Sequence, residues 1–212
     1  MKNEWKKDEK KLYLPKNEAE QIIIPKQKFL IINGKGNPNS QDFADRIGVL
    51  YSLAYAIRMM PKNGYTPEGY VEYTVYPLEG LWDLSEEGRQ KDAFSKEELV
   101  YRIMIRQPEF VTEDVVKRAF EITRKKKPNI LLDEVTFETL NEGLCVQIMH
   151  IGSYDDEPAS FEKMKKYISE NELEIESLVH REIYVKAVRG EPKEGEVEKQ
   201  KTVLRYRVVS KG

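Results

Sequence analysis

Leu178-Val179-His180-Arg181-Glu182-Ile183-Tyr184-Val185-Lys186 is the stretch from which the fold and the chemistry of the chain are read. Residues alternate there with period two, so a strand would present Val179, Ile183, Val185 and Ala187 on one face and Leu178, His180, Glu182 and Tyr184 on the other. Glu182 then sits mid-strand, between an imidazole and a phenol. A carboxylate in that position is costly to desolvate without a partner, so it marks either a solvated sheet face or a functional pocket.

Working outward, the 212 residues suffice for one sizeable domain or two small, tightly joined halves with a real core. A lone cysteine, Cys145, excludes an intrachain disulfide and fits a reducing compartment. Lys and Arg number 35 against 37 Asp and Glu, a formal net charge of −2, which leaves no electrostatic footprint for nucleic acid. The basic run Arg124-Lys125-Lys126-Lys127 closes a helix before Pro128 and complements its dipole. No stretch approaches the roughly 18 apolar residues of a membrane span. The expected protein is cytoplasmic, with neither nucleic acid nor membrane as partner.

Residues 1–19 read as a charged lead-in anchored by Trp5, Leu12 and Tyr13. Gln21–Ile24 and Phe29–Ile32 flank Pro25-Lys26-Gln27-Lys28 as an expected hairpin, which Gly34-Lys35-Gly36-Asn37-Pro38 ends. Phe43, Ile47, Leu50, Ala54 and Ile57 then recur at helical spacing behind a cap at Asn39 or Ser40. Strands are expected over Gly69–Tyr76 and Glu98–Arg106, separated by a long connection from Pro77 to Lys96. A helix over 112–127 follows, capped by Thr112.

After Pro128 the order returns: a hairpin of Val135–Leu140 and Leu144–His150 around Asn141-Glu142-Gly143, a helix bearing Phe161, Met164 and Ile168, the opening strand, and a last strand from Thr202 to Val209. The repeated order predicts an internal duplication in which Gly36 matches Gly152 and Thr74 matches Glu182. The fold class is therefore α+β, built of duplicated βαββ modules whose antiparallel sheets carry helices on one face. Residues 20–210 form one domain of two half-repeats, about 20–107 and 133–210, joined by the helix at 112–127. A ligand groove is expected at the pseudo-twofold axis, where Glu182, Tyr184, Thr74 and Tyr76 would converge.

Several motifs carry no chemistry on this reading. Gly34-Lys35-Gly36 lacks the third glycine of a dinucleotide fingerprint, since Asn39 stands in its place. Cys145 and His150 fall on opposite strand faces, and Asp155-Asp156-Glu157 is explained by the positive end of the following helix. Neither metal nor cofactor is expected. The 12 tyrosines, with Trp82 in the run Pro77-Leu78-Glu79-Gly80-Leu81-Trp82, offer aromatic walls that, beside a buried carboxylate, suit flat hydrophobic and often cationic ligands.

His180-Arg181-Glu182-Ile183-Tyr184, Gln147-Ile148-Met149-His150-Ile151-Gly152-Ser153-Tyr154, Pro77–Trp82 and Lys201-Thr202-Val203-Leu204-Arg205 together resemble the GyrI-like small-molecule-binding proteins, over residues 18–210. The resemblance implies a duplicated SHS2-type module. It also implies a ligand-facing glutamate at Glu182, as in the effector domains of multidrug-responsive regulators. The residues before the first strand are too few for a helix-turn-helix domain, so direct transcriptional control is not expected. Some stand-alone members resemble hydrolases that open the strained ring of cyclopropanoid compounds. In that chemistry Glu182 would act as general base on water, a phenol, Tyr76 or Tyr184, would donate to the substrate carbonyl oxygen, and Trp82 would stack on the planar ligand. His150 and His180 would orient Glu182, with Thr74 lining the groove. A non-catalytic sensor or sequestering protein for hydrophobic molecules is the alternative.

Overall fold

A computed structural model describes residues 2–91, 93, 95–188 and 193–211. Its elements, in chain order, are α1 (Trp5–Asp8), α2 (Lys10–Tyr13), β1 (Glu20–Ile24), β2 (Gln27–Lys35), α3 (Gln41–Arg58), β3 (Leu78–Leu84), α4 (Glu86–Arg89), β4 (Leu99–Gln107), α5 (Glu113–Lys126), β5 (Thr136–Leu140), β6 (Gly143–Ile151), α6 (Glu157–Glu170), β7 (Leu173–Lys186) and β8 (Lys201–Ser210). They divide into two compact units, residues 2–4 with 27–140 and residues 5–26 with 141–211. No helix among the described residues is long and apolar enough to cross a membrane.

In the first unit the strand order is β3-β4-β2-β5, all antiparallel. Phe29, Leu30, Ile31 and Ile32 on β2 are all buried, so both faces of this strand are covered, as an unbroken apolar run requires. The hydroxyl of Ser40 accepts the N–H of Phe43 at 3.2 Å and starts α3, which buries Leu50, Leu53, Ala54 and Ile57. Thr112 caps α5 in the same way through the N–H of Val115.

The second unit repeats this connectivity with order β7-β8-β6-β1. Helix α6 lays Phe161, Met164 and Ile168 against Val146, Ile148, Leu204 and Tyr206. The lead-in belongs here too, with Trp5 and Tyr13 buried. Its backbone carbonyls at Lys11 and Leu12 accept from Gln147 at 2.8 Å and Arg205 at 3.0 Å. Each unit is thus a βαββ module plus one added strand.

That added strand corrects both expected hairpins. β1 pairs with β6 rather than with β2, and β5 pairs with β2 rather than with β6. Turn residues report only a local reversal of the chain. Partner choice is set by which sheet edge remains open, and the edges of β6 are taken by β1 and β8.

The strand expected at Gly69–Tyr76 is also displaced, to Leu78–Leu84. In the 69–76 segment, a lone bridge joins Tyr73 to Asn3. Backbone groups there find other partners: the Tyr73 carbonyl accepts from Arg58 at 2.8 Å, and the Thr74 N–H donates to the Asn3 carbonyl at 2.9 Å. The match of Thr74 with Glu182 falls with that strand. Gly36 and Gly152, at φ 95° and 128°, end β2 and β6 and supply a better anchor. Four residues earlier stand Ile32 and Ile148, whose ladders run to Ile103 and Gly80 in one unit and to Leu204 and Glu182 in the other. The counterpart of Glu182 is therefore Gly80, and that of Tyr184 is Trp82.

Gly80 and Gly34 lack side chains for a steric reason. A Cβ on Gly80 would lie 2.6 Å from Trp82 Nε1, and one on Gly34 would lie 2.3 Å from the Tyr101 ring. Trp82, Tyr101 and Phe43 pack there with centroids 5.0–5.8 Å apart.

Strand β7 carries charge on both faces. The register shifts between Ile175 and His180, which throws Leu178 out to 67% exposure and off the face it was expected to share with Glu182. Beyond the shift, Arg181 is buried, with Nε 3.1 Å from Glu142 Oε1. Arg205, also buried, approaches Glu142 Oε2 at 3.7 Å and donates to Gln147 at 2.8 Å. Glu142 thus faces two guanidiniums taken out of water.

Three substitutions test this packing by their effect on stability. Glu142→Gln removes a carboxylate that faces two buried guanidiniums and should cost about 3 kcal/mol in urea denaturation. Gly80→Ala should cost roughly 1–3 kcal/mol by displacing Trp82. Gly48→Ala, in α3 with nothing within 4 Å of the added methyl group, should instead stabilise by about 0.5–1 kcal/mol.

Candidate functional site

The face of β7 opposite Arg181 presents His180, Glu182 and Tyr184, two residues apart and so side by side. Tyr184 Oη–H donates to Glu182 Oε2 at 2.8 Å, and His180 Nε2 meets Oε1 at 3.0 Å. Both oxygens are held. The Glu182 side chain is 12% exposed, which places it under cover with a residual opening. Charge-assisted bonds of this kind contribute about 1.5–3 kcal/mol each and offset part of the desolvation cost.

Rings flank the two residues that hold the carboxylate. The Phe161 ring from α6 meets His180 edge-on at 4.9 Å, Tyr206 from β8 lies 5.4 Å from Phe161, and Tyr154 stands perpendicular to Tyr184 at 6.1 Å. Burial, reinforced by the Glu182 charge, pushes the Tyr184 phenol well above its ordinary value. Tyr184 therefore stays protonated and remains a donor. Burial followed by the charges of Glu182 and Glu157 takes Tyr154 up to about 12.

Glu157, the first residue of α6, is the member that sequence reasoning missed. It is buried at 7% exposure, and its Oε1 has no hydrogen-bond partner among the described residues. Burial, then the charges of Glu182 and Asp155, push its carboxyl up to about 9. A helix N-terminus favours the charged form by only about 0.3–1 kcal/mol, so burial prevails. The signal was present in the sequence: Glu157, Phe161, Met164 and Ile168 lie at spacings of 4, 3 and 4, which puts an acid on the inward stripe of the helix. It was read as dipole complementation because all three of Asp155, Asp156 and Glu157 are acidic.

The other candidates have contacts of their own. His150 is buried on β6, with Nε2–H donating to the Ser153 carbonyl at 2.8 Å and Nδ1 meeting the Ser160 hydroxyl at 2.9 Å. Both ring nitrogens fasten the start of α6 to the sheet, and His180 is the imidazole that touches Glu182. Tyr76, Thr74 and Trp82 belong to the first unit. There Tyr76 is buried under the Arg106 guanidinium at 4.7 Å, and Trp82 is 5% exposed beside Phe43 and Tyr101. A cavity of about 530 Å³ in the second unit, lined by Lys6, Lys186, Lys199 and Lys201 together with Leu14, Ile151, Val185 and Glu198, does not include Glu182. Among the described residues, no group of three or more His, Cys, Asp or Glu side chains could hold a metal ion.

The arrangement combines a carboxylate with both oxygens held, a second, buried carboxyl and a set of aromatic rings. Known proteins give this geometry a setting. A crystal structure described as a hydrolase from Listeria innocua is similar at 33% identity and a TM-score of 0.86, covering 99% of this chain and 100% of that one. An uncharacterized conserved protein from Listeria innocua is similar at 35% identity and a TM-score of 0.86, covering 98% and 100%. The C-terminal domain of EcmrR, at 11% identity and a TM-score of 0.50 over 91% of this chain and 98% of that one, shares the fold. Among curated proteins, none matches the chain significantly. The profile of the GyrI-like small molecule binding domain matches residues 18–200, and the chain belongs to that family.

Proposed function

We propose that this protein binds hydrophobic, planar small molecules beside Glu182 and hydrolyses those bearing a strained, electrophilic cyclopropane, a detoxifying role. The observation that carries this reading is the hold on Glu182. His180 and Tyr184 fix both oxygens of a largely covered carboxylate among aromatic rings, where it can accept a proton from water. The hydrolase description of a relative at 33% identity supports a hydrolytic reaction.

In a spirocyclopropyl dienone, attack of water on the cyclopropane methylene breaks a ring bond whose electrons flow into the dienone, leaving a phenolate oxygen. Glu182 takes the proton that the attacking water loses. Tyr184 does not leave this step as an anion, because burial holds it as a phenol, so its function is to position Glu182 through its hydrogen bond. Phe161, Tyr206 and Tyr154 supply area for the apolar body of the substrate at the expense of little rotamer entropy.

Incubation of the pure protein with a spirocyclopropyl dienone, following the ring-opened phenol by chromatography, tests this reading. Glu182→Gln should lower kcat by roughly 10²–10⁴-fold. Tyr184→Phe should lower it by roughly tenfold, through a loosened Glu182. Tight binding of the dienone by the wild type without turnover would instead assign the protein to sensing or sequestration.

A further inference from the structure

Glu157 has no part in the reaction as written above, yet its placement is hard to explain on structural grounds alone. A buried carboxyl with an oxygen lacking a hydrogen-bond partner is destabilising, a cost that an alanine or glutamine at the same place would avoid or reduce. It projects from the same inward stripe of α6 as Ser160, Met164 and Ile168. It also lies within electrostatic range of Glu182, Tyr184 and Tyr154 together. Two carboxyl groups sharing one covered site cannot both carry charge cheaply, and Glu182 is the one furnished with hydrogen-bond donors.

We propose that Glu157 is the proton donor of the site, protonating the dienone oxygen as the ring aromatises while Glu182 deprotonates the attacking water. The proposal rests on the hydrolytic reading of Glu182. Water oxygen forms a bond to the methylene carbon, and the bond from that carbon to the spiro centre breaks. Its electron pair aromatises the dienone to a phenolate, Glu182 takes the water proton, and Glu157 gives its proton to the phenolate oxygen. The product leaves as a neutral phenol, with one proton moved from Glu157 to Glu182, and exchange with solvent restores the pair.

The alternative donor on this face, Tyr184, already spends its hydroxyl hydrogen on Glu182. Burial and the neighbouring carboxylates hold the Glu157 carboxyl in its acid form, so it has a proton to give. The groups facing Glu157 are Glu182 and Tyr184 from β7, with His180 bonded to Glu182, and Tyr154 and Asp155 from the turn before α6. Each of the carboxylates among them favours the acid form of Glu157.

The test is the pH dependence of kcat for the wild type, Glu157→Gln and Glu157→Asp on the same dienone. The wild-type kcat should fall on the alkaline side as Glu157 loses its proton. Glu157→Gln should lower kcat by roughly 10²–10³-fold with KM changed by only a few-fold and the alkaline limb gone, and Glu157→Asp should restore part of the rate. An active wild type with no alkaline limb, or a folded Glu157→Gln within about threefold of the wild-type kcat, overturns the proposal while leaving Glu182 as base. An inactive wild type overturns both.

A second measurement needs no substrate. Because the folded carboxyl titrates above its unfolded value, its contribution is fully present below about pH 4.5 and is lost as pH rises towards 9. Wild-type stability relative to Glu157→Gln should therefore decline across that window. A difference that stays flat across it overturns the proposal.

Discussion

A carboxylate withdrawn from water has to be met by donors, and Glu182 takes both of its donors from its own strand. That economy depends on the period of the pleat, which sets His180 and Tyr184 on either side of it and turns Arg181 to the other face. The two faces of β7 then do different work. One buries Arg181 against Glu142 and, through Arg205 and Gln147, ties the sheet to the lead-in. The other holds the Glu182 carboxylate between two donors that aromatic rings flank. A slip of one residue in the register of β7 would exchange these roles and strand both charges, which is a strong physical reason for the register to be unique.

The duplication gives two similar scaffolds, and at this strand position the acid stands in the second. Where the second unit has Glu182 and Tyr184, the first has Gly80 and Trp82, and the indole fills the space above the glycine. His150 likewise has Gly34 as its counterpart, which makes room for Tyr101. The first unit has thus traded polar side chains for ring packing at the positions where the second unit keeps its hydrogen-bonded groups.

The βαββ order, the helix caps at Ser40 and Thr112 and the alternation around Glu182 were legible in the sequence because each is a local matter of spacing and hydrogen-bond chemistry. Strand partners were not. A turn signal such as Asn141-Glu142-Gly143 says that the chain reverses, and says nothing of the fact that β5 completes the sheet of the first unit. The strand at 78–84 was hidden because the tyrosine-rich segment before it has better β-propensity but finds its hydrogen bonds with Arg58 and Asn3. Around the site, the neighbours of Glu182 within its own strand could be read, whereas Glu157 is masked by two acidic neighbours at the same helix end and is set apart from them only by its place on the inward stripe of α6.

The account therefore turns on Glu182 acting as a base towards water and on its oxygens staying out of covalent chemistry. A single turnover in H₂¹⁸O, with enzyme in excess over a spirocyclopropyl dienone, addresses this directly. The account predicts one ¹⁸O in the ring-opened product from the first turnover and none in the protein. Unlabelled product, with ¹⁸O appearing in the side chain of Glu182, would mean that the carboxylate attacks the methylene itself and would contradict it.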